Sequence, residues 1–296
     1  MRILRLTVTP ELAGCSVGRL LRQEMHLSSS LLKSLKWREN AILLNGHPVT
    51  VRATVKPSDI LTADISDVSP VSGTIVPVNY PLDILWEDED LLILNKPAGI
   101  AVHSAALTEE TVTVAGAVAH YLGNGVFHPV NRLDKGVTGV MVVAKNGHAH
   151  DRCMALLHTD DFRREYRGVC DGVPDPPQGS IDLPISREPD SLLKRRIDPS
   201  GLPSHTQYQV LSTANGRALV LLRPLTGRTH QLRLHMAAIC CPLTGDWLYG
   251  TEDRSLIARP ALHSYELWLR HPISGAHVHV TAPLPEDMEQ LIQEDM

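Results

Sequence analysis

Apolar positions change their spacing several times along the chain, and each change marks an element. Val17, Leu20, Leu21, Met25 and Leu27 recur at roughly one helical turn and predict a helix with one buried face. Ser28, Ser29 and Ser30 offer N-caps for a second helix. On it Leu31, Leu32 and Leu35 point inward, with Lys33, Lys36 and Arg38 outward. In AILLNGHPVTV, Asn45-Gly46 separates two apolar runs. That pair predicts a hairpin, because a type I′ turn needs positive φ at both central residues. Pro57-Ser58-Asp59 then turns the chain into a strand over Ile60 to Ile65. The first 66 residues therefore read as one small unit of two helices and a curled sheet.

Residues 67–81 lose all periodicity and hold three prolines, two serines and a glycine, the composition of a linker. From Leu82 the pattern resumes. ILWEDEDLLILNKPAGIAVH predicts a strand, an acidic turn and a second strand. Further strands are predicted at 139–144, 166–170, 206–211, 217–222 and 276–281, and helices at 111–121, 147–157 and 229–239. Strands outnumber helices without regular alternation, which predicts a mixed α+β domain over 82–285 and excludes a doubly wound sheet. Residues 286–296 read as an acidic helix or a frayed tail.

Composition narrows the class. The charged and hydrophobic fractions, 21% and 43%, are those of an ordinary globular protein. No apolar run approaches a membrane span, and Arg5 interrupts the only short apolar stretch at the N-terminus, so a cytoplasmic location is expected. Five cysteines without a C-x-x-C pair argue against a disulfide framework or a cysteine zinc site. The net charge of −5 does not mark a nucleic-acid-binding protein. Local distribution does more: Arg19, Arg22, Lys33, Lys36 and Arg38 against Glu24 and Glu39 leave 5 − 2 = +3 on one short segment.

Three segments carry candidate chemistry. In NRLDKGVTGVMVVAKN (131–146), Asp134 lies between Arg132 and Lys135, and neighbouring positive charge favours an ionised carboxylate. Such a group suits a nucleophile or an electrostatic stabiliser, and Gly136 and Gly139 allow close approach of backbone or substrate. A charged turn before a buried strand is the competing reading. TGRTHQLRLH (226–235) gathers Arg228, His230, Arg233 and His235, with Arg228 ahead of the predicted helix and Leu232 within it. FRREYRGVCDG (162–172) places Tyr166 among Arg163, Arg164 and Arg167, a ring for a base and cations for phosphates, or else a packed strand residue. His148, His150 and Cys153, or His277 and His279, lack the spacing of a standard zinc site, and no metal is expected. A retaining glycosidase would need two carboxylates, where this region offers one.

Taken in order, these segments resemble the RluA-type pseudouridine synthases over residues 82–283. Lys96, Pro97 and Gly99 match a Lys-Pro-x-Gly turn, and 131–139 match H-R-L-D-x-x-T-S-G. Arg164-Glu165-Tyr166 match Lys-x-Tyr, 228–235 match R-T-H-Q-[IL]-R-x-H, 245–250 match G-D-x-x-Y-G, and Leu262-His263 match the last short motif. Asn131, Val137-Thr138 and Arg164 depart from the pattern and bear on the positioning of the loop. Residues 12–66 resemble an S4-like RNA-binding domain.

The resemblance implies a largely antiparallel central sheet flanked by helices, and an enzyme that isomerises uridine in structured RNA, ribosomal or transfer, without cofactor or metal. It implies Asp134 as the essential carboxylate, Tyr166 stacked on the uracil, and Arg228 paired with Asp134. Arg132 would extrude the uridine, and Leu232 and Lys96 would line the substrate pocket. Arg19, Arg22, Lys33, Lys36 and Arg38 would contact phosphates, in a chain acting as a monomer. A non-catalytic RNA-binding or ribosome-assembly factor is the alternative, kept open by Asn131 and Val137.

Overall fold

A computed structural model describes residues 1–67, 75–104, 112–123, 125–157 and 159–293. The first stretch folds around its own core. Strand β1 (Ile3–Thr7) is followed by helices α1 (Val17–Gln23) and α2 (Ser29–Leu35) and by strands β2 (Ile42–Leu44), β3 (His47–Pro48) and β4 (Ile60–Asp64). The four strands form an antiparallel sheet in the order β1-β4-β2-β3. Ser16 and Ser28 cap the two helices through their side chains, each accepting a backbone amide. Asn45 and Gly46 both take positive φ, as the hairpin turn requires. Leu20, Leu21, Leu32, Leu35, Leu61 and Ile65 close the core under this sheet. Pattern alone missed β1, a five-residue strand whose inward positions are only Leu4 and Leu6.

The larger part carries β5 (Ile84–Glu87), β6 (Leu91–Lys96), α3 (Val114–Leu122), β7 (His128–Pro129), β8 (Thr138–Ala144), α4 (Gly147–Leu156), β9 (Phe162–Asp171) and β10 (Gln178–Asp182). After these come β11 (Ile185–Arg187), β12 (Arg195–Ile197), β13 (His205–Ala214), β14 (Arg217–Pro224), α5 (Gln231–Ala238), β15 (Leu262–Arg270), β16 (His277–Thr281) and α6 (Glu286–Glu289). Ten strands make one sheet along the path β10-β13-β14-β9-β15-β8-β6-β5, with β7 on β8 and β16 on β15. Every pairing is antiparallel except β15 with β8. The expectation of a mixed, largely antiparallel α+β fold is met.

Several boundaries differ from the sequence reading. Helix α3 begins at Val114 because Thr113 caps it, and it stops at Gly123, which takes the left-handed conformation. The central strand β15 went unpredicted, since LHSYELWLR mixes burial on both faces around a bulge at Ser264/Glu266. Of the proposed linker, 68–74 lie outside the described residues, whereas Val78 donates its amide to Gly116 and so lies against α3. The acidic C-terminus is docked rather than frayed as far as residue 293: Met288 and Leu291 are buried, and Asp287 holds Arg259 through both oxygens. Arg2 reaches across to Asp90 with two hydrogen bonds of 2.8 and 2.7 Å, tying the small sheet to the large one.

Candidate active site

The loop between β7 and β8 presents Asp134. Its shape is set by backbone contacts: the Val137 amide donates to the Asp134 carbonyl at 3.0 Å, closing a tight turn, and the Gly99 amide donates to the Lys135 carbonyl at 2.9 Å. Lys96 ends β6 with its side chain 1% exposed. Its ammonium donates to the carbonyls of Pro97 (2.8 Å), Lys135 (3.2 Å) and Val137 (2.9 Å), so a buried cation grips the loop from beneath. Burial lowers the Lys96 pKa to about 8, while the Asp134 carboxylate works in the opposite direction. Lys96 therefore supports the loop from within.

The departures from the family motif occupy defined places. Asn131 is buried and its side-chain oxygen accepts the Val142 amide at 2.7 Å, pinning the loop to β8. Val137 is buried among apolar neighbours, and Thr138 bonds the buried His263 ring at 2.8 Å. Arg164 lays its guanidinium over Phe162. Gly139 is irreplaceable on steric grounds: its φ is +103°, and an added Cβ would lie 2.1 Å from the Ser264 carbonyl oxygen where β8 meets β15.

Helix α5 supplies the partner of Asp134, and here the structure corrects the sequence. The expected partner, Arg228, is exposed and donates to the Pro203 carbonyl at 3.2 Å. Arg233 instead places its Nη1 3.2 Å from Asp134 Oδ2. The reason lies in where the helix starts. His230 adopts φ of 58°, the helix begins at Gln231, and Arg228 is left in the preceding turn facing away. Gln231 fixes that turn by accepting from Thr226 and the Arg228 amide and donating to His205 and Thr206. Arg233, 5% exposed, is held by Asp246 through two hydrogen bonds of 2.7 Å, a bidentate pair. Asp246 is fully buried and also accepts the amides of Leu248 and Tyr249. Burial opposes the Arg233 charge, but Asp246 and Asp134 outweigh it and raise its pKa.

His230 completes the surroundings. Its Nδ1 bonds the Tyr249 hydroxyl at 2.9 Å, and that hydroxyl accepts the Arg195 amide at 2.8 Å. With the hydroxyl donating to Nδ1, the neutral ring carries its proton on Nε2, which lies 3.7 Å from Asp134 Oδ2. Burial lowers the His230 pKa and Asp134 only partly compensates, so Arg233 is the permanent cation at the carboxylate. His230, Arg233, Asp246 and Tyr249 lie in the motifs at 228–235 and 245–250, where residue type alone assigns them no role. The signal that would have found Arg233 is the buried Asp246 in GDWLYG, which needs a cation.

Tyr166 (6% exposed) and Leu232 (7%) sit in the same apolar cluster as Leu133 and Val137, the residues flanking the Asp134 turn. Arg132 is exposed beside His103, whose imidazole is held below its usual pKa by burial and by the Arg132 charge. The fold thus brings Asp134, Arg233 and His230 together, while Tyr166 and Leu232 belong to the apolar cluster that Leu133 and Val137 also join. Arg19, Arg22, Lys33 and Lys36 lie far away in sequence, exposed on α1 and α2 or at the end of α2. Arg38 differs: it is largely buried and binds Asp64 and the Ser66 carbonyl, so it holds the small sheet together. Cys153 is buried and its thiol is pushed up to about 12, the behaviour of a core residue.

Comparison with known proteins agrees with this geometry. Residues 90–238 match the family model described as RNA pseudouridylate synthase. The chain is 36% identical over 273 residues to the uncharacterized RNA pseudouridine synthase YjbO of Bacillus subtilis, covering 91% of this chain and 96% of that protein. It is 34% identical to ribosomal large subunit pseudouridine synthase D of Zymomonas mobilis, over 98% of this chain and 96% of that one. To the Escherichia coli K12 protein of the same name it is 40% identical, over 73% and 71%. Among solved structures, human RNA pseudouridylate synthase domain containing 4 superposes with a TM-score of 0.57 at 26% identity, covering 70% of this chain and 90% of that one. A carboxylate on a glycine-bearing turn, gripped by an arginine of α5, within a chain that matches this family over most of its length, therefore has its family: this chain belongs to the RluA-type RNA pseudouridine synthases, enzymes that isomerise uridine in RNA to pseudouridine.

Proposed function

We propose that the protein modifies uridine in ribosomal RNA, with Asp134 as its essential carboxylate. The observation that carries this reading is the Asp134–Arg233 contact at 3.2 Å, with Arg233 itself clamped by buried Asp246. A carboxylate held by a buried, bidentate guanidinium is pre-aimed, which is the main requirement for acting on a substrate that must first leave its helix. In the reaction the N1–C1′ bond of uridine breaks, the uracil turns, and C5 bonds to C1′. One proton leaves C5 and one is taken up at N1, so the change is an isomerisation and needs no redox partner.

Tyr166 is read as the ring against which the uracil stacks, Leu232 as part of the wall, and Arg132 as the wedge that takes the nucleotide out of the stack. Arg233 replaces Arg228 as the positioning residue. The unit formed by residues 1–66 is read as an S4-like RNA grip, using Arg19, Arg22, Lys33 and Lys36 for phosphates. Relatives named for the large ribosomal subunit support a ribosomal target over a transfer-RNA one. The intact Asp134, Tyr166 and Arg233 set disfavours a non-catalytic role.

The test is tritium release from [5-³H]uridine-labelled ribosomal RNA by wild type and by Asp134→Asn, with pseudouridine maps of cells carrying or lacking the gene. Release by wild type alone, and loss of ribosomal sites with the gene, is expected. Release from transfer RNA only would overturn the target, and an active Asp134→Asn variant would overturn the role of Asp134.

A further inference from the structure

The chain has four tryptophans, and one of them is bare. Trp37 is 86% exposed, against 53% for Trp247, while Trp86 and Trp268 are partly buried. An indole left in water forgoes one of the largest burial gains any side chain offers, so a stable exposure of this size points to a partner. Trp37 lies in the turn that ends α2, its amide donating to the Ser34 carbonyl at 3.0 Å. Ser30, Lys33 and Ser34, all exposed, form the ridge of the helix that leads to it.

The charge around it is the second observation. Among the described residues, Arg19, Arg22, Lys33 and Lys36 enter no ion pair, although Glu24 and Glu39 are close in sequence. Arg19 bonds the side-chain amide of Gln23, and Arg22 the Gly18 carbonyl. Only Arg38 of this basic segment is neutralised, by Asp64. The unit therefore exposes a flat aromatic face next to Lys33 and Lys36, whose charges have no counter-ion among the described residues. The ligand chemistry that satisfies both is anionic and carries its own aromatic rings with accessible faces.

We propose that Trp37 stacks on an unpaired nucleobase of the substrate RNA while Lys33 and Lys36 contact the adjoining phosphates. This rests on the reading of residues 1–66 as an RNA grip and extends it. Phosphate contacts alone hold paired and unpaired RNA alike, whereas an indole can stack only on a base whose face is free. The N-terminal unit then selects RNA with a loop or bulge near the target, before the synthase site is engaged.

The test uses the full chain and two uridine-free RNAs of equal length, one fully paired and one with a single-stranded purine loop, so that no turnover occurs. Binding is measured against salt for wild type, Trp37→Ala, Trp37→Phe and the double variant Lys33→Ala/Lys36→Ala. Wild type should prefer the looped RNA. Trp37→Ala should lose about tenfold on that RNA, the scale of one base–aromatic stack, with the fully paired RNA and the salt slope unchanged. Trp37→Phe should retain most of the binding. The lysine double variant should weaken both RNAs and flatten the slope. If Trp37→Ala binds the looped RNA like wild type, or weakens both RNAs equally, the stacking proposal falls; the lysine variant reports separately on the RNA grip. A wild-type dimer in sedimentation that Trp37→Ala dissolves, with RNA binding unchanged, would assign the indole to self-association and overturn the proposal.

Discussion

Two arginines five residues apart, Arg228 and Arg233, compete for the same role, and a pair of substitutions separates them. Arg233→Gln removes the cation 3.2 Å from Asp134 and the partner of Asp246. Arg228→Gln removes an exposed side chain whose hydrogen bond is to the Pro203 carbonyl. At an effective dielectric of about 20, two unit charges at the Asp134–Arg233 separation attract with roughly 5 kcal/mol. Asp134 is 30% exposed at its side chain, so solvent screens part of that. A charge-assisted hydrogen bond contributes about 1.5–3 kcal/mol net, which sets the expected loss of turnover for Arg233→Gln at roughly 10- to 150-fold. Asp246 is fully buried, and stranding its charge costs about 3–5 kcal/mol of stability. Urea denaturation monitored by circular dichroism measures that second effect, and tritium release under conditions where each variant is folded measures the first. Arg228→Gln should be within roughly 1 kcal/mol of wild type in stability and within a few-fold in turnover. The reasoning is refuted if Arg228→Gln abolishes release while folded Arg233→Gln remains as active as wild type.

Three further outcomes are expected. Gly139→Ala should destabilise the fold by roughly 3–5 kcal/mol, because it combines a positive φ with a Cβ placed inside the Ser264 carbonyl, and a melting temperature close to wild type would contradict it. Lys96, with its pKa lowered from 10.5 to about 8, binds fewer protons when folded than when unfolded between those values. Stability should therefore gain up to about 3 kcal/mol from this group as pH rises through that window, a gain absent in Lys96→Met, while turnover declines above pH 8 as the ammonium that grips the loop carbonyls is neutralised. A pH–stability difference between the two proteins that is flat from 8 to 10.5 would show Lys96 to be charged throughout. Asn131→Ala should weaken the loop's attachment to β8 by about 1–3 kcal/mol, since the Val142 amide loses its acceptor, with thermal unfolding as the readout.

The turn that holds Asp134 was legible from its neighbours in the chain, because it is local: a carboxylate, two glycines and an apolar strand within one short segment; the chemical role proposed for Asp134 came from the resemblance of the ordered motifs. The hairpin at Asn45-Gly46 was identifiable for the same reason, its conformation being a property of the two residues. Strand β15 was not, since its burial pattern depends on β8 and β9, two partners from distant parts of the sequence, as well as on the adjacent β16. Of the segment read as a linker, Val78 is tied down: its amide meets the Gly116 carbonyl of α3, which proline-rich composition does not reveal.

The motifs by themselves pointed to the family and to Asp134 as the candidate carboxylate, because they depend on residue types in a fixed order, and the uneven spacing of apolar runs gave the mixed sheet. Which arginine meets that carboxylate was decided only in three dimensions. Arg228 and Arg233 are equally charged and stand in the same motif. What separates them is the left-handed turn at His230, which starts α5 late, and a buried aspartate 13 residues beyond Arg233 that draws one guanidinium inward and leaves the other in solvent. A buried charge must find its counter-charge, and only the tertiary structure shows where that counter-charge lies.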